Sequence, residues 1–404
     1  MPSFTLDLFA ETTTAPDWET RLALWHVLNQ SVTSYQAVLQ HFGSADVALR
    51  SRYDDWQRLG LHASHLKRVK SWQAGTVADH TRVEQVCNAV SEQRYQLLQP
   101  NDLHYPKALA MLDDAPPFLF VQGESAQLLQ PQMAIVGTRQ PTPSGRKLAQ
   151  RFAATLAEQG LWITSGLAQG IDADAHVGAL SVGGGRTIAV LGTGLDVCYP
   201  SSHKSLLARM LAEGGTVVSE FLPDTAPLAY HFPRRNRIVS GLSLGVLVVE
   251  AAVKSGSLIT ARLAAEQGRL VFAIPGHVDN PLARGCHHLI REGAILVDEP
   301  AQILEDLELP RHWQQHHQQL DANSSESAEV VTTTATNITR PAPATGVPVH
   351  LQAVLAQLDW TGQDMDQLVM ACGLDVASLS GLLMELELLG LVIQQGGRYQ
   401  RCLA

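Results

Sequence analysis

Seven times between residues 132 and 298 a short β-branched run ends in a tight turn: QMAIVG (132–137), LWITSG (161–166), RTIAVLG (186–192), GTVVSEF (215–221), LGVLVVEA (244–251), RLVFAIPG (269–276) and GAILVD (293–298). Stretches with helical spacing lie between them. The runs are apolar on both faces, as strands covered by helices on both sides must be. Strands alternating with helices at this spacing predict an α/β fold built on an extended Rossmann-like, mostly parallel sheet. In such a sheet every turn that follows a strand lies on one carboxyl edge, where ligands bind.

The flanks have a different pattern. Residues 1–75 are expected to form an N-terminal helical module, because apolar residues recur at helical spacing in DWETRLALWHVLNQ and VTSYQAVLQHFGSADVALRSR. Gly43-Ser44 breaks the second stretch where an N-cap is wanted. The core is expected over 76–310, with a further short strand in APPFLFVQG. Residues 311–348 read as a linker, being rich in Ser, Thr, Ala and Pro without periodicity from 321 onward. Residues 349–404 read as three helices and a hairpin turning at Gly396-Gly397, the order of a small winged-helix domain.

Composition narrows the function. With 45% hydrophobic and 17% charged residues the 404-residue chain reads as an ordinary globular protein. No apolar run reaches the roughly 18 residues of a membrane span, so a cytoplasmic protein without membrane insertion is expected. Five cysteines without CxxC spacing point to neither a disulfide framework nor a zinc knuckle. The net charge of −10 argues against a protein coated in nucleic acid. Residues 131–300, however, carry 15 Lys and Arg against 13 Asp and Glu, which leaves room for a positive groove there.

Candidate binding residues sit in the turns. Gly137, Thr138 and Arg139 follow the first strand, and Ser165 and Gly166 the second; both turns can hold a phosphate on backbone N–H groups, or serve only as tight βα turns. Asp172 and His176, four apart on one side of the next helix, could form an acid–base pair, but a capping aspartate with a helix-surface histidine beside it is expected. GTGLDVCYP begins as a dinucleotide fingerprint but has Val197 at its third glycine position, which weakens a nicotinamide reading. Lys204 lies near the same edge and reads equally as a solvated first-turn residue. HFPRRNR (231–237) is the densest signal. Pro233 can start a helix, Phe232 offers a face for a base, and Arg234, Arg235, Asn236 and Arg237 supply donors to phosphates or base edges. No carboxylate lies between Pro227 and Val249, so anion binding by Arg234 and Arg237 is expected, with Arg235 toward solvent or a structural partner. Ser255 and Gly256 open another helix at that edge.

Signs of catalysis are few. The chain has no GxSxG, no HExxH and no Walker A ending, so neither an enzyme nor a cofactor is expected. The adjacent side chains of Cys286, His287 and His288 diverge, so no metal is expected there. An alternative from another class is a Rossmann-fold enzyme acting on nucleotides or nucleosides, although AIPGHVDN stands where a PGGxGT turn would be wanted.

The ordered motifs VGTR, SGLAQGID, GTGLDVCYP, SEF, FPRRNRIVSGLS, VVEA, SGSLITA, AIPG and LIREGA resemble the DNA-processing protein A family (DprA, also called Smf) across essentially the whole chain. YPKALAMLDDAPPFLFVQG and LELLGLVIQQGGRYQR fit the same pattern. The resemblance implies an N-terminal helical module similar to a sterile-alpha-motif (SAM) fold and a C-terminal winged helix. It also implies single-stranded DNA binding in a positive pocket at the sheet edge, a homodimer through the core, and help in loading the RecA recombinase during natural transformation. Matched by motif, the DNA contacts would come from Arg139 and its turn, Ser165, Gly166, Lys204 and Phe232 to Arg237. Thr138 stands where the family usually has serine, and His203 and His287-His288 where asparagine is common. The third C-terminal helix, VASLSGLLMELELLG, carries Glu385 and Glu387 and no basic residue, so this module is expected to meet protein, or to assist weakly through Arg398 and Arg401.

Overall fold

The computed structural model describes residues 17–307, 348–358, 362–389, 391–395 and 398–401. The expected linker up to residue 347 and the Gly396-Gly397 turn lie outside the described residues.

The N-terminal helices are α1 (Asp17–Val27), α2 (Val32–Phe42), α3 (Ala45–Arg50), α4 (Tyr53–Gln57), α5 (Ala63–Gln73) and α6 (Val77–Ser91). The break predicted at Gly43-Ser44 is present. Gly43, at φ 79°, ends α2, and the Ser44 hydroxyl accepts from Val47 N at 3.2 Å to start α3. Trp25 and Trp56, both fully buried, lie in one apolar cluster with Phe118, Phe120, Ala189 and Val217 of the sheet region. The helical module therefore shares its core with the sheet.

The core elements follow as β1 (Gln96–Leu98), α7 (Lys107–Ala110), β2 (Leu119–Gln122), β3 (Gln132–Val136), α8 (Pro143–Glu158), β4 (Trp162–Ser165), α9 (Ile171–Leu180) and β5 (Thr187–Val190). After these come α10 (Lys204–Ala212), β6 (Thr216–Ser219), α11 (His231–Gly241), β7 (Gly245–Val248), α12 (Ser257–Glu266), β8 (Leu270–Ala273), α13 (Arg284–Arg291), β9 (Ile295–Leu296) and α14 (Pro300–Asp306). All seven expected strands are present. The sheet order is β1-β2-β6-β5-β4-β3-β7-β8-β9, parallel from β6 to β9, with β2 antiparallel to β6 and β1 to β2.

Alternate residues of the strands face different layers. Ala134, Val136, Val246 and Val248 pack with Ile238 and Val239 of α11 and with Ala261 and Ala264 of α12. Met133, Ile135, Ile163 and Leu247 pack with Phe152, Leu156, Ile171 and Ala175 of α8 and α9. The chain lays β3, β4, β5 and β6 outward in one direction, then returns to place β7 on the other side of β3. The carboxyl ends of β3 and β7 therefore flank a topological switch point, where the helices diverge and leave a crevice.

The C-terminal module comprises α15 (Val349–Leu355), β10 (Gln363–Asp364), α16 (Met365–Cys372), α17 (Val376–Leu388), β11 (Val392–Gln395) and β12 (Arg398–Arg401), with its sheet in the order β10-β12-β11. Leu351, Leu368, Leu379, Leu383 and Val392 form its core. It meets the core domain where Lys107 Nζ donates to Gln357 Oε1 and where Pro106, Leu128, Leu242 and Leu355 line a cleft of about 430 Å3. Leu128 precedes β3 and Leu242 precedes β7. The module therefore sits at the amino edge of the sheet, opposite the crevice. Among the described residues no helix is long and apolar enough to cross a membrane.

Candidate functional site

A groove of about 590 Å3 opens at the switch point. Two of its turns leave no room for a side chain at their glycines. A Cβ on Gly137 would lie 2.6 Å from Ile171 Cγ1, and one on Gly170, at φ +81°, 2.4 Å from Thr138 O. The turns after β3 and β4 thus interlock. Thr138 N donates to Glu250 O at 2.7 Å, while the Glu250 carboxylate accepts from Thr142 N at 2.9 Å and Thr142 Oγ1 at 2.6 Å, fixing the start of α8. Arg139 is left exposed at the rim.

The floor is charged. Arg235, 4% exposed, donates through Nη1 to Gly166 O at 2.5 Å and to Val190 O, tying the ends of β4 and β5. A Cβ on Gly166 would lie 2.4 Å from that guanidinium, so the glycine makes room for the arginine. Burial lowers the Arg235 pKa to about 10, and the Asp172 carboxylate opposes the shift. Arg235 is therefore cationic at neutral pH.

Asp172 does not cap α9, whose N-cap is Gly170. It reaches back to accept from Gly166 N at 3.1 Å and Ala168 N at 3.4 Å, shaping the loop above Arg235. Burial raises its pKa, with Arg235 acting against the rise. Nor is His176 on the helix surface. It is fully buried, with Nδ1 2.7 Å from Thr187 Oγ1, and burial pushes its pKa down to about 3. The pair expected on one exposed helix face is thus divided between a loop clasp and the core.

Above the floor stands an aromatic platform. Phe232, half-buried, lies against Gly192, where a Cβ would come within 2.8 Å of the ring. Tyr199, 45% exposed, meets it at 5.3 Å between centroids with planes 44° apart, and the Arg139 guanidinium lies 6.0 Å from the Phe232 centroid. An aromatic face flanked by cations suits a flat base with a phosphate beside it. Ser255, Gly256 and Ser257 close the opposite wall at the first turn of α12. Here the two serine hydroxyls lie 2.7 Å apart, and a Cβ on Gly256 would meet open space. The first-turn N–H groups of Ser257, Leu258 and Ile259 are met by Ser255 Oγ, Ser255 O and Gly256 O, so it is the serine hydroxyls that this wall offers to the groove.

The arginines of HFPRRNR divide in the reverse of the expected way. Helix α11 begins at His231, two residues before Pro233. Glu220, fully buried just after β6, accepts through Oε2 from Arg234 Nη2 at 2.6 Å and Arg237 Nη2 at 2.7 Å. Arg237 Nε also pairs with Asp114 at 2.9 Å, and Arg234 lies over the rings of Trp25 and Phe221 at 5.5 and 5.0 Å. Carboxylate partners exist after all, outside the window from Pro227 to Val249. It is Arg235 that lines the groove.

Of the other candidates, Asn236 lines the groove and accepts from Arg235 Nε at 3.2 Å. Ser165 is fully buried and donates to Ile135 O at 2.7 Å, turned into the sheet. Lys204 is exposed at the start of α10, beyond Tyr199 and outside the groove lining. Sequence reasoning missed Tyr199, whose only signal was an aromatic in GTGLDVCYP. Cys286 is buried against the carbonyls of Val248 and Val249, while His287 Nε2 meets Gly276 O at 3.0 Å and His288 pairs with Glu292, so the three neighbours do turn apart.

Comparison with known proteins places this geometry in a family. Residues 96–308 match DNA recombination-mediator protein A, and residues 339–398 match the DprA winged helix domain. Over 224 residues, 55% of this chain, the sequence is 52% identical to Protein Smf of Escherichia coli (strain K12); the match spans 60% of that relative, less than two thirds of its length. The X-ray structure of DNA processing protein A (DprA) from Streptococcus pneumoniae aligns over 72% of this chain and 97% of that one, at 36% identity and a TM-score of 0.58. A structure of DNA processing protein A from Helicobacter pylori, described for its unique single-stranded DNA binding mode, aligns over 53% of this chain and 96% of that one at 32% identity and a TM-score of 0.47.

Proposed function

The chain belongs to the DNA recombination-mediator protein A family, and from that premise we propose that it binds single-stranded DNA in the carboxyl-edge groove and acts in recombination as a mediator rather than as an enzyme. The observation that carries this reading is the Phe232–Tyr199 platform, with Arg139 at its rim and Arg235 beneath it. A ring face accepts any unpaired base, whereas a base inside a duplex has its faces covered, so this platform favours single strands without a sequence code. Phosphates are held by Arg139, at the end of the Gly137–Thr138 turn, and by the hydroxyls of Ser255 and Ser257 beside Gly256. Arg235 lends charge from below.

In natural transformation such a protein protects incoming single strands and helps load the RecA recombinase in the cytoplasm. A homodimer through the core presents two grooves, and a strand held in both dissociates far more slowly than from one. The nucleotide-enzyme alternative requires reacting groups in the groove. Its one carboxylate, Asp172, is engaged by backbone N–H groups.

Binding of labelled single-stranded and duplex oligonucleotides, followed by anisotropy across a salt series, tests the reading. Single strands are expected to bind more tightly than duplex, with affinity falling as salt rises. Preference for duplex, or affinity indifferent to Arg139→Ala and Phe232→Ala, rejects it. Turnover of a nucleotide would favour the alternative.

A further inference from the structure

Glu220 is absent from the groove lining, yet it grips the helix that supplies the ring of Phe232 and the floor arginine. At about 100° per residue, Phe232, Arg235 and Asn236 share one face of α11, and Arg234 and Arg237 lie on the opposite face. The groove face carries the platform and the floor. On the rear face both arginines meet one oxygen of one fully buried carboxylate, at 2.6 and 2.7 Å, and Arg237 Nε adds a second contact to the half-exposed Asp114 at 2.9 Å. Its other oxygen, Oε1, has no hydrogen-bond partner, so the grip rests entirely on the two arginines.

The segment that carries Glu220 is fastened in turn to the N-terminal helices. Gln30 Oε1 accepts from Leu222 N at 2.9 Å and from Thr225 Oγ1 at 3.4 Å, Arg82 pairs with Asp224 at 2.6 Å, and Trp25 lies under Arg234. Residues 220–225 are thus bolted to the helical module on one side and to the back of α11 on the other. A helix that rotates about its own axis carries its side chains with it, and a binding site tolerates displacements of only about 0.5 Å.

We propose that Glu220 is a positioning residue for the groove: by holding Arg234 and Arg237 from behind, it sets the rotation of α11 and so the places of Phe232 and Arg235. The proposal rests on the single-strand reading of the groove. It makes a prediction opposite in sign to simple electrostatics. Removing a buried negative charge behind an anion site would, by its field alone, tighten the binding of DNA. Loss of positioning weakens it.

The test uses the full chain and labelled oligothymidine. Glu220→Gln is expected to weaken binding at least tenfold while the slope of log affinity against log salt stays parallel to wild type, because no phosphate contact is lost. Glu220→Asp should recover part of the loss. Binding by Glu220→Gln that is unchanged or tighter overturns the proposal. In a double-mutant cycle with Arg234→Gln, the double variant is expected to bind no worse than the weaker single one; additive losses would mean that Arg234 acts on DNA by itself, and also overturn it. Should Glu220→Gln fail to fold, Arg234→Gln alone decides: faster hydrogen exchange in α11 with weakened binding supports the proposal, and unchanged exchange rejects it. Phe232→Ala, measured in parallel, separates the two ideas. If it leaves affinity intact, the groove reading falls, while hydrogen exchange in α11 still reports whether Glu220 holds the helix.

Discussion

The carboxyl edge of the core and the exposed side of the winged-helix domain are both places where a nucleic-acid-binding protein would be expected to keep positive charge, and they are built oppositely. At the edge, Arg139 and Arg235 frame an aromatic platform. Residues 349–404 carry two arginines against six carboxylates, and α17 exposes Glu385, Glu387 and Met384 with no basic residue of its own. His350 Nε2 pairs with Glu385 at 3.1 Å, which leaves the face acidic. A helix with that surface repels a phosphate backbone, and the module docks at the opposite edge of the sheet from the groove. Fold type alone therefore does not decide where positive charge gathers; the geometry of individual side chains does.

The contrast breaks most readily at the groove. Phe232→Ala combined with Arg139→Ala is expected to cost single-stranded DNA about 100-fold or more in affinity, since one stacked base is worth roughly 1–3 kcal/mol and a phosphate contact goes with it. Arg398→Ala in the wing, by comparison, should change affinity less than about threefold in the same titration. If the two variants lost similar amounts, the groove would no longer be the principal site.

A smaller effect is expected from Gly166→Ala, which sets a methyl where the Arg235 guanidinium lies. The arginine must move, at a cost of about 1–3 kcal/mol in unfolding free energy, read from a lower urea midpoint, and with a measurable loss of DNA affinity. Equal stability for the two proteins would contradict the close approach.

The sheet beneath the groove should also respond to acid. His176 is held at a pKa of about 3 by burial, against 6.5 for the free side chain. Between those values the unfolded chain binds a proton that the folded chain refuses, so stability falls as pH drops from about 6.5 toward 3. Each unit contributes up to about 1.4 kcal/mol. His176→Gln should flatten that slope in denaturation curves taken from pH 7 to 4, and a slope identical to wild type would rule out the buried neutral histidine.

The least effect is expected on the acidic face. Glu385→Lys with Glu387→Lys should raise duplex affinity by a few-fold and leave single-strand binding as it was. A large gain for single strands would place α17 near the groove and erase the contrast.

The sheet was legible in the sequence because each strand is a short, two-faced apolar run whose signal is local, and the turns of the site were legible because their glycines follow those strands directly. Gly137, Arg139, Gly166, Phe232, Asn236, Ser255 and Gly256 do converge in one groove. The division of the arginines was not legible. Which way each arginine points depends on the rotation of α11, and that is set by Glu220, 14 and 17 positions away from the arginines it binds, and by Trp25 in another module. His176 was misread for a related reason: a helix covered on both sides has no surface stripe on which a polar residue must lie.

Arg235 ties β4 to β5 and keeps its proton up to about pH 10. The floor of the groove is therefore a charge that no physiological change of pH removes. A strand seated above it cannot be let go by protonation chemistry. On the single-strand reading of the groove, release must come from salt or from a competitor for the strand.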